Sequence, residues 1–116
     1  MGAWGYQIFE DDVALDVRGD FEEAIASGAS PERATRLILQ KYGEQLDDED
    51  DRPVIYLALA SLELERGRVT DPIRTEALKI IDRGEGLARW EEAGEEALVE
   101  RKKVLQALRT RILAPS

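Results

Sequence analysis

Pro53-Val54-Ile55-Tyr56-Leu57-Ala58-Leu59-Ala60-Ser61-Leu62-Glu63-Leu64-Glu65-Arg66-Gly67 is the stretch that decides the fold. Apolar side chains fall on nearly every side of it from Val54 to Leu62. A surface helix keeps one polar face, so a helix apolar almost all round is a buried one. Ile55, Leu57 and Leu59 also alternate as a strand would. The length, the Leu and Ala content and the closing Gly67 favour helix. The reading is all-α: one domain over residues 1–116, with five to six helices packed around a buried central helix at Pro53–Arg66. A non-helical arm over residues 1–10 precedes it.

The chain of 116 residues suits one domain. Surface scaling gives roughly 6,300 Å² folded against about 19,000 Å² unfolded, so about two-thirds is buried without staples. There is no cysteine, which excludes disulfides, zinc–thiolate sites and thiol nucleophiles. There is no histidine, which removes the commonest general base and metal ligand. No apolar run reaches the roughly 20 residues of a membrane span. The N-terminus lacks the basic and apolar regions of a secretory signal. Met1-Gly2 opens like a myristoylation site, but Tyr6 stands where Ser or Thr is required. The expectation is a cytoplasmic protein with no membrane partner.

The net charge is −9, and it is unevenly placed. Residues 1–60 hold 14 acidic against 5 basic side chains, whereas residues 61–116 hold 11 of each. The acidic half excludes a nucleic-acid partner, which needs a basic face. It suits solubility or attraction to a basic protein.

Gly2-Ala3-Trp4-Gly5-Tyr6-Gln7-Ile8-Phe9 lacks helical periodicity and reads as an arm glued down by Trp4 or, in the functional reading, presenting Trp4 and Tyr6 as a contact surface. Asp11 or Asp12 caps the first helix, with Val13, Val17, Phe21, Ala24 and Ile25 as its stripe, and Gly19 inside it allows a bend or a split into two short helices. Ser30-Pro31 opens the second, with Ala34, Leu37, Ile38 and Tyr42 inward and Gly43 as its stop. Asp71-Pro72 repeats that device 41 residues on, a coincidence of capping chemistry more than a repeat. Ile73, Ala77, Ile80 and Ile81 form the fourth stripe, ended by Gly84. Leu87 and Trp90 staple a single turn to the core. The last helix starts at Glu91 or Gly94 and runs to Leu113, with Ala97, Leu98, Val104, Leu105, Leu108 and Ile112 inward. Its acids precede its bases, which suits the helix dipole. The heptad spacing of Leu98, Leu105 and Ile112 allows a monomer or a weak homodimer through this helix.

Asp47-Asp48-Glu49-Asp50-Asp51 is the densest charge in the chain. Five adjacent acids repel, so residues 44–52 read as a solvated loop. An EF-hand is excluded, because Arg52 and Pro53 stand where its glycine and next residue belong. Asp12 with Asp16, Asp16 with Asp20, and Glu91 with Glu95 lie one turn apart. Solvated helix faces account for such pairs. No phosphate loop, serine elbow or Glu-x-x-His motif is present, and no cofactor or metal is implied.

The opening Met1-Gly2-Ala3-Trp4-Gly5, followed by Phe9-Glu10-Asp11-Asp12-Val13-Ala14-Leu15-Asp16, resembles a family of small bacterial proteins of unknown function. Its members begin Gly-Ala-Trp-Gly, then Phe, an acidic or Asn-Asp pair, an apolar turn and Asp. This chain carries Asp11-Asp12 at the pair. The resemblance implies a bacterial cytoplasmic helical domain and no activity.

Two functional expectations follow. The first is a small acidic protein-interaction domain, of the inhibitor or immunity type, that meets a basic protein through Asp47, Asp48, Glu49, Asp50 and Asp51. The alternative is a carboxylate-based metal-binding or hydrolytic protein using Trp4, Asp12 and Asp16. Enzymatic activity is the weaker of the two, since no catalytic signature supports it.

Overall fold

In the computed structural model, which describes residues 8–114, six α-helices follow one another. They are α1 (Asp12–Ala26), α2 (Pro31–Lys41), α3 (Asp51–Glu65), α4 (Asp71–Arg83), α5 (Ala88–Ala93) and α6 (Glu95–Leu113). Short 3₁₀ turns occupy Ile8–Glu10 and Gln45–Asp47. No strand occurs among the described residues. Trp4 and Tyr6, and most of the arm to which they belong, lie outside them. The end of that stretch is a 3₁₀ turn whose Ile8 is buried in the core.

The central helix is the hub. α3 packs against α1, α4, α6 and both 3₁₀ turns, while α2 leans on α1, and α5 on α6. Ile55, Ala58, Leu59 and Ala60 are fully buried, and Pro53, Val54, Leu57 and Leu62 nearly so. Each large aliphatic side chain contributes roughly 1.5–3 kcal/mol by leaving water. Val17 and Phe21 of α1, Ile38 of α2, Ile73 and Ile80 of α4, and Leu105, Leu108 and Ile112 of α6 complete this core.

Several local expectations hold through named bonds. Asp11 Oδ1 accepts from the Val13 amide at 2.8 Å and caps α1. Ser30 Oγ accepts from the Arg33 amide at 3.2 Å, with Pro31 in the first turn of α2. Gly84 stops α4 at φ +69, a left-handed conformation that a Cβ would disfavour, and a Cβ there would also come within 3.2 Å of Leu87 Cδ1.

Others are corrected. α1 runs unbroken through Gly19, because its flanking turns are held on both sides by Val17 and Phe21. Leu37 stays 40% exposed, and Thr35 turns inward in its place. Gly43 is not a left-handed stop; α2 ends at Lys41, and Tyr42 is its C-cap. Thr70, not Asp71, is the N-cap residue of α4, so Pro72 falls one position later than Pro31 does in α2. Glu91 and Glu92 belong to α5, because Gly94 at φ +120 breaks the chain before α6 begins. The acidic sorting ascribed to one helix is therefore split between two.

Candidate functional site

The acidic run is less of a loop than expected. Asp47 closes the 3₁₀ turn Gln45–Asp47, and Asp51 is already the first residue of α3. Asp48 makes this possible. Its Oδ1 accepts from the amides of Asp50 at 2.8 Å and Asp51 at 3.1 Å, which serves the free amides at a helix start. Asp47, Asp48, Glu49 and Asp50 are exposed, while Asp51 is half-buried. None of the five forms an ion pair among the described residues. Burial raises the Asp51 carboxyl from its ordinary value, and the charges of Asp48, Asp11 and Asp50 push the same way against Arg89.

Several acids elsewhere are paired. Arg89 Nη1 donates to Asp11 Oδ2 at 2.9 Å. Arg52, in the first turn of α3, bridges Glu76 of α4 and Glu85 beyond it, and its guanidinium lies 5.1 Å from the centre of the Tyr56 ring. Arg109 Nε donates to Asp82 Oδ1 at 2.8 Å.

Asp12 and Asp16 are both exposed on α1, and neither lines the adjoining groove between α1 and α2. Trp4 lies outside the described residues. Among those residues, no group of three or more Asp or Glu side chains is placed to hold a metal ion. The carboxylate on this helix that is built into a site is Asp20. It accepts from Tyr42 Oη at 2.6 Å and from Lys41 Nζ at 2.9 Å. Burial pushes Asp20 up, but those two hydrogen bonds and the Lys41 charge outweigh it, so the carboxyl lies below its ordinary value. Burial, together with the bond to Asp20, holds the Tyr42 phenol well above its own.

Two buried charged residues escaped the sequence reading. Glu63 is fully buried in α3. Its Oε2 accepts from Thr35 Oγ1 at 2.5 Å, and its Oε1 accepts from the Thr70 amide at 2.7 Å and Thr70 Oγ1 at 2.9 Å. One carboxylate thus ties α2 to the start of α4. Arg101 of α6 is 5% exposed, with its guanidinium 5.0 Å from the centre of the Trp90 ring. Burial pushes Arg101 down to about 10, so it stays charged at neutral pH. Helical spacing is the signal that finds both. Glu63 follows Ile55 and Leu59 at intervals of four, and Arg101 lies between Ala97 and Leu105 at the same interval.

The architecture and surface define a small acidic all-α domain in which no helix is long and apolar enough to cross a membrane among the described residues. The family described as Domain of unknown function (DUF4259) matches residues 2–116, and the chain belongs to it. No curated protein and no solved structure matches the chain.

Proposed function

We propose that this chain is a protein-interaction domain whose acidic run at residues 47–51 docks a basic protein, in the manner of a small inhibitor or immunity-type partner. The observation that carries the reading is the density of uncompensated acid in this run. Asp47, Asp48, Glu49 and Asp50 stand side by side, exposed and without an ion pair among the described residues, whereas Asp11, Asp20, Glu76, Asp82 and Glu85 are each matched by a cation. Like charges left side by side raise the local potential and steer an oppositely charged surface during encounter. The adjoining helix is anchored through its apolar face, so the acids are held on a fixed frame. The proposed setting is the bacterial cytoplasm, with the domain acting as a monomer or weak homodimer.

Low-salt capture from a bacterial lysate tests this reading. Asp47→Asn, Glu49→Gln and Asp50→Asn together remove three charges and leave the Asp48 cap intact. The reading predicts a basic protein recovered with the wild type and depleted with the variant. Equal recovery with both would overturn it.

A further inference from the structure

Beyond the acidic face, the opposite charge gathers at one place. Arg68 from the α3–α4 turn, Arg74 from α4 and Arg111 from α6 line one pocket of about 260 Å³. Leu64, Val69 and Ile112 supply apolar lining between them. We propose that this pocket binds a small molecule through phosphate or carboxylate oxygens.

An unpaired arginine on a surface is ordinary. The convergence of three from separate elements on one concavity, in a chain of net charge −9, is not. None of the three makes an ion pair or a side-chain hydrogen bond among the described residues, whereas Arg18, Arg52, Arg89 and Arg109 each do. Asp71 also lines the pocket but pairs with none of them, leaving the guanidiniums in excess. Three like charges around one hollow repel until an anion enters. A guanidinium fork matches the two oxygens of a carboxylate or phosphate, which makes arginine the apt residue for this task. Arg74 is half-buried, so its bond to an anion is partly shielded from water. The volume falls just below the roughly 300–1,000 Å³ of drug-sized sites, which points to a compact ligand. The apolar lining accommodates a short carbon body beside the charged head. The proposal is independent of the acidic run.

Amide resonances of the intact protein would be followed during separate titrations with inorganic phosphate and with citrate. Saturable shifts are expected at residues 64–74 and 108–114, and the anion that saturates at lower concentration identifies the preferred oxygen chemistry. Arg74→Gln with Arg111→Gln should weaken that binding by roughly ten-fold or more, since charge-assisted bonds are the strong ones. Exposed Arg68→Gln should weaken it too, and it serves if the double variant melts early. Arg33→Gln with Arg36→Gln, which removes as much charge elsewhere, should bind like the wild type. Absence of saturable shifts with both anions would overturn the proposal. So would unchanged binding by the pocket variants, or equal loss in the Arg33 and Arg36 control.

Discussion

Thr35 Oγ1 donates a 2.5 Å hydrogen bond to Glu63 Oε2 inside the core, where Thr35 is 5% exposed and Glu63 not at all. The other carboxylate oxygen receives both donors of Thr70. Thr70 is the N-cap residue of α4, yet its hydroxyl makes no cap bond there, because it turns to Glu63. The carboxylate therefore fixes where α4 begins relative to α2 and α3.

Glu63→Ala should destabilise the protein by roughly 3–5 kcal/mol, because each buried donor left without an acceptor costs about 1–3 kcal/mol. Glu63→Gln keeps an acceptor for Thr70, and the Thr35 hydroxyl can turn to accept, so its cost should be about 1–2 kcal/mol. Urea midpoints at unchanged slope measure both. Equal losses would mean that the carboxylate acts by volume alone.

Leu59→Asp should unfold the chain. Leu59 is fully buried at the centre of α3, and a charge without a partner there costs several kcal/mol, comparable to a domain's whole stability. Circular dichroism should show the helix signal collapse. A variant melting like the wild type would contradict a buried α3.

Tyr42→Phe removes the bond to Asp20 and should cost about 1–2 kcal/mol near neutral pH. The pH dependence follows from both partners. Asp20 lies below its ordinary 3.8 when folded, so its contribution is complete above that value and lost as pH falls through the folded one. Tyr42 lies above its ordinary 10.0 when folded, so its contribution is complete below that value and lost as pH rises through the folded one. The difference between wild type and variant should be largest between these limits and shrink at either end. Urea melts across a pH series measure it, and a difference independent of pH would contradict the coupling.

Gly86→Ala should cost more than Gly28→Ala. Both residues have positive φ, +81 and +103, which disfavours a Cβ by roughly 1–2 kcal/mol. Only at Gly86 would that Cβ also lie 3.3 Å from Pro53 Cβ and Cγ, in the first turn of the central helix. Thermal melts should rank the two, and a larger loss at Gly28 would contradict the close approach of this turn to α3.

The central helix was legible because apolar residues on all sides admit one explanation, burial. The Asp11 and Ser30 caps were legible because capping is local chemistry. Thr70 was not, since Asp71 sits one residue away with equal capping ability and only the Glu63 carboxylate decides between them. Glu63 itself looked like the polar end of the helix; its phase with Ile55 and Leu59 was the available sign. In the sequence Asp48 is one acid among five, whereas in the structure its carboxylate accepts from the amides at the start of α3. The pocket of Arg68, Arg74 and Arg111 depends on α6 returning beside the α3–α4 turn, and no local pattern encodes that meeting.

In the proposed function, acids at residues 47–51, unpaired among the described residues, steer a basic protein onto this domain. The most direct measurement of this steering is the association rate of the captured partner at rising salt, for the wild type and for the variant carrying Asp47→Asn, Glu49→Gln and Asp50→Asn. Screening shortens from about 10 Å at 0.1 M to about 3 Å at 1 M, and rim charges act mainly on association. The account predicts a wild-type rate that falls steeply with salt, a slower and flatter variant rate, and the same melting temperature for both proteins. Rates that coincide at every salt concentration would contradict it.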